Sequence, residues 1–409
     1  MPAVQAWAYR GHDANGKSVK GTVDAASESA VSARLGTLGI SPLSIEQAPD
    51  ATGLGRDVSL SFFAKGVGLT DLAIMSRQMA TMIGSGLSLL RTLNILAEQT
   101  ESTALVTVLA LVRDDVEAGT SISDALGKHP QAFPPIMINM VRAGETGGFL
   151  DRALESIAEN FEKEKKLRDT IRSAMTYPVI VLLLSLTAVV VMLVFIVPIF
   201  EEMFRGLGGA LPLPTQLLVY LSASMVYVLP IAAVVGIVFS IWWRKNRHTD
   251  AVRRRLDPIK LKLPVFGPLL KKIAVARFAR NFSNMIGAGV PILQALKIVG
   301  ETSGNWVVEN ALVSVAESVR QGASISAPLV AQSVFPPMVI QMIAVGEDAG
   351  SLEIMLDKIA DFYEQEVGSA TEQLTAMIEP LLIAFLGVVI GGMVIALYMP
   401  IFSIASMIK

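Results

Sequence analysis

Two stretches of this chain carry the same apolar stripe. Leu150, Ala153, Leu154, Ile157, Ala158 and Phe161 fall at i, i+3, i+4, i+7, i+8 and i+11, and Leu352, Met355, Leu356, Ile359, Ala360 and Tyr363 repeat those offsets. Such spacing predicts an amphipathic helix that buries one face. No helix breaker interrupts either stripe until Tyr177-Pro178 and Glu379-Pro380, where alternation gives way to apolar runs over 179–200 and 380–408. Both runs lack charge and exceed the roughly 20 residues that a spanning helix needs. A third uncharged run, 217–243, lies between them.

Upstream of each stripe the pattern predicts further helices. In the first stretch Asp71 is a plausible N-cap for a helix ending near Gly84; helices follow over 88–99 and 103–118, with Gly119 as a stop, and shorter ones over 121–128 and 134–143. With the striped helix this makes a bundle of about six. The opening residues read differently: Trp7-Ala-Tyr9 and Val19-Lys-Gly-Thr-Val23 flank the turn-like Asp13-Ala-Asn-Gly16 as in a hairpin. A helix-like stretch over 27–38 and an extended Pro42-Leu-Ser-Ile45 complete a small β/α module.

The two stretches are copies. Arg77-Gln-Met and Gly84-Ser-Gly86 return 203 positions later as Arg280-Asn-Phe and Gly287-Ala-Gly289. After a one-residue deletion the spacing is 202, and Phe133-Pro-Pro135, Gly144-Glu145-Thr-Gly-Gly148 and Pro198-Ile-Phe200 return as Phe335-Pro-Pro337, Gly346-Glu347-Asp-Ala-Gly350 and Pro400-Ile-Phe402. The resulting plan is a β/α module (1–48), a linker (49–70), helical domain 1 (71–174), a first transmembrane helix (175–200), a short external loop (201–216) and a second transmembrane helix (217–243). A basic linker (244–272), helical domain 2 (273–377) and a third transmembrane helix (378–408) complete it. The fold class expected is mainly α, polytopic in the membrane.

Charge sets the orientation. Trp242-Trp243 is followed by Arg244, Lys245, Arg247 and Arg253-Arg-Arg255, and Lys163, Lys165, Lys166, Arg168 and Arg172 precede the first span, whereas the outer loop holds Glu201, Glu202 and Arg205. The positive-inside bias puts the N-terminus and both helical domains in the cytoplasm and the C-terminus outside. The 409 residues are 52% hydrophobic and 17% charged, a mixed soluble and membrane chain. The absence of cysteine excludes disulfides and thiolate metal sites. A net charge of −2 gives no footprint for direct nucleic-acid binding. The first residues lack the basic start and apolar core of a cleaved signal peptide, so insertion is expected to use the internal spans.

Candidate chemistry is sparse. Gly144, Glu145 and Gly148, with Gly346, Glu347 and Gly350, allow two readings: glycines permitting a tight helix end with each glutamate near the next helix N-terminus, or a docking corner for a cytoplasmic partner. Arg77 and Arg280 read either as clamps on a carboxylate such as the repeat's own glutamate, or as partner contacts. Tyr177, Pro178, Glu379 and Pro380 mark the membrane boundary. The segment 244–272 holds ten Lys or Arg against Asp250 and Asp257, read as topology and anionic lipid binding. His12, His129 and His248 are scattered, no Gly-Lys-Ser/Thr phosphate loop is present, and no active site, metal site or cofactor is expected.

Arg77-Gln-Met-Ala-Thr-Met-Ile-Gly-Ser-Gly-Leu, the Gly-Glu-x-x-Gly turns, the Tyr177-Pro178 entry and the duplicated layout resemble the PilC/GspF family, platform proteins of type IV pilus and type II secretion machines. The resemblance covers essentially the whole chain. It implies two cytoplasmic six-helix domains with three spans, and a non-enzymatic, homo-oligomeric adaptor in the inner membrane. The implied partners are a hexameric cytoplasmic ATPase, major and minor pilins or pseudopilins, and other inner-membrane assembly proteins. Ser61-Phe-Phe-Ala-Lys65 leans toward the pilus branch. A duplicated transporter would build a polar midplane site, and an intramembrane peptidase would need an Asp pair; the spans offer neither.

Overall fold

The computed structural model describes residues 5–12, 18–25, 28–37, 41–47, 66–206, 211–247 and 249–407. The turn at Asp13 to Gly16, the linker with Phe62 and Phe63, and His248 lie outside them. The chain forms two units, 1–65 and 66–409.

In the first unit, β1 (Gln5–His12) and β2 (Ser18–Ala25) pair antiparallel, with Gln5 opposite Ala25 and His12 opposite Ser18. The third strand β3 (Ser41–Gln47) joins the other edge of β1, with a register shift between Arg10 and Gly11. Helix α1 (Glu28–Thr37) buries Val31 and Leu35.

The second unit holds two six-helix bundles in matching order. Bundle 1 comprises α2 (Leu69–Gly84), α3 (Leu89–Gln99), α4 (Thr103–Glu117), α5 (Ile122–Gly127), α6 (Pro135–Gly147) and the long α7 (Leu150–Val191). A π turn (Met192–Ile196) and α8 (Val197–Gly206) extend α7, and α9 (Leu213–Asn246) and α10 (Asp250–Lys262) follow. Bundle 2 comprises α11 (Phe266–Gly287), α12 (Ile292–Thr302), α13 (Trp306–Arg320), α14 (Ser326–Leu329), α15 (Pro337–Asp348) and α16 (Leu352–Met407). The deletion that changes the repeat spacing falls between Ser123/Ser326 and Phe133/Phe335, where the six-residue α5 is matched by the four-residue α14.

The striped helices bury the face their periodicity predicts. Ala153, Leu154, Ile157, Ala158 and Phe161 are buried on α7, as are Leu352, Leu356, Ile359, Ala360 and Tyr363 on α16. One apolar core runs through both bundles, from Met79, Leu93 and Phe133 to Phe278, Phe282 and Phe335. The ring centroids of Phe278 and Phe335 lie 4.9 Å apart, edge to face.

Two sequence readings need correction. Asp71 is not the N-cap: α2 starts at Leu69, and the Asp71 carboxylate accepts the Gly68 N–H at 2.9 Å from inside the first turn. The basic segment after the second apolar run is not a plain linker. It folds as α10, which docks on bundle 2: buried Asp257 accepts the Trp306 N–H at 3.0 Å, Arg253 meets Glu309 at 2.7 Å, and Arg254 lies over the Trp306 ring at 5.7 Å. An acid three residues from Lys260 and a cation on an indole ring fix this helix in place.

Three helices are long and apolar enough to cross a membrane: Leu150–Arg205, Leu213–Asn246 and Leu352–Phe402. Their ends distal to the bundles pack together through Leu193, Val197, Leu218, Met393, Ala396 and Leu397. Pro198 has no N–H, and its ring crowds the carbonyl four residues earlier. The π turn immediately before it widens the helix there, and the Ser222 hydroxyl from α9 donates to the Leu193 carbonyl at 2.5 Å. Pro400, the repeat counterpart, sits within continuous α16.

Candidate functional site

The repeated Gly-Glu turns join the last two helices of each bundle. A methyl group on Gly144 would lie 2.5 Å from the Ala153 Cβ and 3.1 Å from the Leu150 Cα, so only glycine lets α6 and α7 come this close. Gly148 then ends α6 at φ +73°, in the left-handed region, and the Phe149 N–H donates back to the Gly144 carbonyl at 2.9 Å.

The glutamates of these turns face inward. Glu145 accepts the Ile122 N–H at 3.0 Å, the Ser123 N–H at 3.2 Å and the Ser123 hydroxyl at 2.7 Å. Glu347 repeats this on the Ile325 N–H at 2.8 Å and the Ser326 N–H at 3.3 Å. Each carboxylate therefore caps the short helix 22 residues earlier, Ser123 for Glu145, rather than the following helix as the sequence suggested. Negative charge at a helix start satisfies N–H groups that have no partner within the helix. The legible signal was Ser121-Ile-Ser123 and Ser324-Ile-Ser326, present in both copies. What the turns expose are their tips, Thr146 to Gly148 and Asp348 to Gly350.

Arg77 and Arg280 are clamps, on carboxylates other than the turn glutamates. Arg77 forks onto both oxygens of Glu162, each at 2.7 Å, and also holds Glu155. Arg280 repeats the arrangement on Glu364, at 2.9 Å, and on Asp357, and adds Asp361. Bonding to Glu162 and Glu155 holds the Arg77 guanidinium well above its usual range, and Arg77 in turn lowers Glu162. Burial opposes the charge of Arg280, but Glu364, Asp361 and Asp357 outweigh it and raise its pKa. Burial likewise opposes the charge of Asp361, yet Arg280 and Lys163 lower it. These carboxylates were readable as a pair seven residues apart, Glu155 with Glu162 and Asp357 with Glu364, on the polar side of each stripe.

Helix α7 passes through Pro178 and α16 through Pro380 without a break. At this level the two helices meet: the Tyr177 hydroxyl lies 3.4 Å from Oε1 of its repeat equivalent Glu379, and the Thr375 hydroxyl 3.5 Å from the Ala174 carbonyl. Leu167, Val367, Leu374 and Leu269 pack beside the crossing. On the bundle side of the prolines a cleft of about 680 Å³ opens between the helices, lined by charged and hydroxyl side chains including Lys165, Lys166, Asp169, Thr170 and Glu372. Of the boundary residues of the sequence reading, Tyr177 and Glu379 thus meet while Pro178 and Pro380 sit inside their helices, and the Gly-Glu turns belong to the far ends of the bundles.

The bundles also touch nearer those far ends. Asn160 donates to Asn281 at 3.0 Å, Arg277 holds Glu164 at 2.5 Å, Lys163 lies 3.5 Å from Asp361, and Gln294 donates to Asn139 at 3.0 Å. Among the described residues no group of three or more His, Cys, Asp or Glu could hold a metal ion.

A helical body present twice, each copy running unbroken into a membrane-length helix, defines a duplicated polytopic membrane protein. The comparison with known families is specific. The model of type II secretion system (T2SS) protein F matches residues 75–198 and again 278–400, and that of its N-terminal domain matches residues 1–46. The chain belongs to this family, and it is an inner-membrane protein. It is 42% identical over 397 residues to the type IV pilus assembly protein PilC of Myxococcus xanthus, covering 97% of this chain and 94% of that one. Over 407 residues it is 42% identical to PilC of Thermus thermophilus, covering 99% and 98%. It is 32% identical over 407 residues to the type II secretion system protein F of Vibrio cholerae, covering 99% and 100%.

Proposed function

We propose that this protein is the inner-membrane platform of a type IV pilus machine and that it hydrolyses nothing itself. One observation carries this reading: 42% identity to two PilC proteins along nearly the whole chain, including both bundles and all three spans. In this reading the N-terminus and both bundles lie in the cytoplasm and the C-terminus outside, the orientation that the basic flanks of the spans favour. A hexameric ATPase works on the bundles, and pilins sit beside the spans. Unbroken α7 and α16 carry bundle movement into the first and third spans, with no flexible joint to absorb it.

The carboxylates of Glu145 and Glu347 are committed to their own backbone, so docking of the ATPase falls to the exposed tips around Thr146 and Asp348. A photocrosslinking residue at each tip, in living cells, is expected to capture the ATPase from at least one copy. Capture from neither tip overturns this docking role.

Deletion of the gene tests the larger claim. The expected result is loss of surface pili, with pilin retained in the membrane and protein secretion intact. Intact pili with loss of secreted enzymes would instead assign the chain to a secretion machine. Turnover of ATP by the purified protein would contradict the adaptor role.

A further inference from the structure

The two bundles do not embrace symmetrically. In a twofold contact every pair is made twice, with the partners exchanged. Beside the crossing of α7 with α16, bundle 1 offers α6 and α7, and bundle 2 receives them on α11 and α12: Asn139 meets Gln294, Asn160 meets Asn281, and Glu164 meets Arg277. The exchanged pairs, obtained through the repeat spacings of 202 and 203, are Gln341 with Arg91, Phe362 with Gln78, and Glu366 with Ile74. None of these is made within the chain. Arg91, Gln78 and Gln341 are exposed, Ile74 is 54% exposed and Phe362 44% exposed, while Glu366 pairs with Lys272 of its own bundle.

A head-to-tail contact of this kind leaves a used face and a matching vacant face on each body. Bundle 1 keeps its α2/α3 face open, and bundle 2 keeps open the side of α15 and α16 that carries Gln341 and Phe362, away from the crossing with α7. The vacant pair carries different side chains, among them exposed Ile74 and Phe362. The polar contact of Asn160 with Asn281 is replaced by Phe362 over Gln78, and the ion pair of Glu164 with Arg277 by Glu366 over Ile74. Ile74 and Gln78 are one helical turn apart, as are Phe362 and Glu366, so the two exposed apolar side chains fall beside each other.

Geometry restricts the partner further. Tyr177 and Glu379 are repeat equivalents and touch at the same level, so the operation that superposes bundle 1 on bundle 2 carries little shift along the helices. Repeating it keeps the first and third spans, which belong to the repeat, at one depth, as a shared membrane demands.

We propose that the open α15/α16 face of one chain takes the open α2/α3 face of a second copy, extending the internal contact between chains. This does not depend on whether the machine builds a pilus or secretes protein.

The chain has no cysteine, so introduced pairs report cleanly. Full-length protein in native membranes is treated with a short bis-maleimide. Asn160→Cys with Asn281→Cys serves as the internal control and is expected to crosslink within one chain, leaving a band at monomer mass and confirming the fold. Co-expressed Gln78→Cys and Phe362→Cys chains, distinguished by different tags, are expected to give a crosslinked species carrying both tags. Neither single variant is expected to crosslink to itself. Ile74→Glu in the Gln78→Cys chain is expected to reduce that species at least fivefold with the control unchanged. A working control without any mixed-tag product overturns the proposal. So does equal crosslinking in either single variant, which would mean a twofold contact instead.

Discussion

Bundle 1 and bundle 2 share the order of their six helices, the Gly-Glu turn and the arginine clamp, yet they hold the same contacts at different depths. Arg280 is 7% exposed and faces three carboxylates; Arg77 is 34% exposed and faces two. The difference follows from position. Bundle 2 receives α7 of bundle 1 against α11, and Lys163 and Glu164 close over the side of its clamp. At the turns the order reverses: a methyl on Gly144 would lie 2.5 Å from the Ala153 Cβ, whereas on Gly346 the nearest atoms, the Met355 Cγ and the Leu352 Cα, lie at 2.9 and 3.0 Å. Duplication preserved the frame, and the asymmetric contact between copies redistributed which parts tolerate change.

That comparison can be broken at four places, each read by thermal unfolding of the purified full-length protein. Arg280→Ala should be the most damaging, about 3 kcal/mol, because it strands Asp357, Asp361 and Glu364 without their cation. Arg77→Ala, on the more exposed clamp, should cost about 1 kcal/mol or less; equal losses would contradict the difference in depth. Gly144→Ala should cost about 2 kcal/mol by overpacking against Ala153, and Gly346→Ala somewhat less, since its closest contact is 2.9 Å rather than 2.5 Å. A larger loss at Gly346 would reverse the reading of the turns.

Glu145→Ala and Glu347→Ala should each cost about 1 kcal/mol, the usual loss of a helix cap. Glu→Gln at either site should recover part of it, because the amide oxygen still accepts a backbone N–H. Full stability in both alanine variants would leave the capping role without support.

The smallest expected effect is in pH. Glu162 and Asp361 have their folded pKa values lowered from ordinary values of 4.5 and 3.8. A lowered folded value contributes stability above the unfolded value and loses it as pH falls through the folded one. The melting temperature should therefore hold from neutral pH to about 4.5 and decline below it. Arg77→Ala should flatten part of that decline; an unchanged acid limb would argue against the clamp as its source.

The sequence displayed the repeat, the six helices of each copy and the apolar stripes because these are local periodicities. The three candidate spans were visible for the same reason, as long uncharged runs. It identified Arg77 and Arg280 as clamps or contacts but not their partners, since Glu155 and Glu162 meet Arg77 only when α7 folds back along α2. Glu145 was misplaced by the same logic: its N–H partners, Ile122 and Ser123, are close only after α5 and α6 close as a hairpin. Basic composition hid α10, whose docking combines buried Asp257 with two of its own arginines, Arg253 on Glu309 and Arg254 over Trp306. The one-way contact between copies has no sequence signature, because both copies carry helices able to make it.

The central claim is that both bundles hang from the same face of one membrane, each joined to its span by continuous helix. Single cysteines at Asp114 and Glu317, on equivalent helices, and at Gln216, near the start of the second span, test this in intact cells with a membrane-impermeant maleimide. The account predicts labelling at Gln216→Cys alone, with Asp114→Cys and Glu317→Cys reacting only after the membrane is opened. Labelling of one bundle and protection of the other would contradict it.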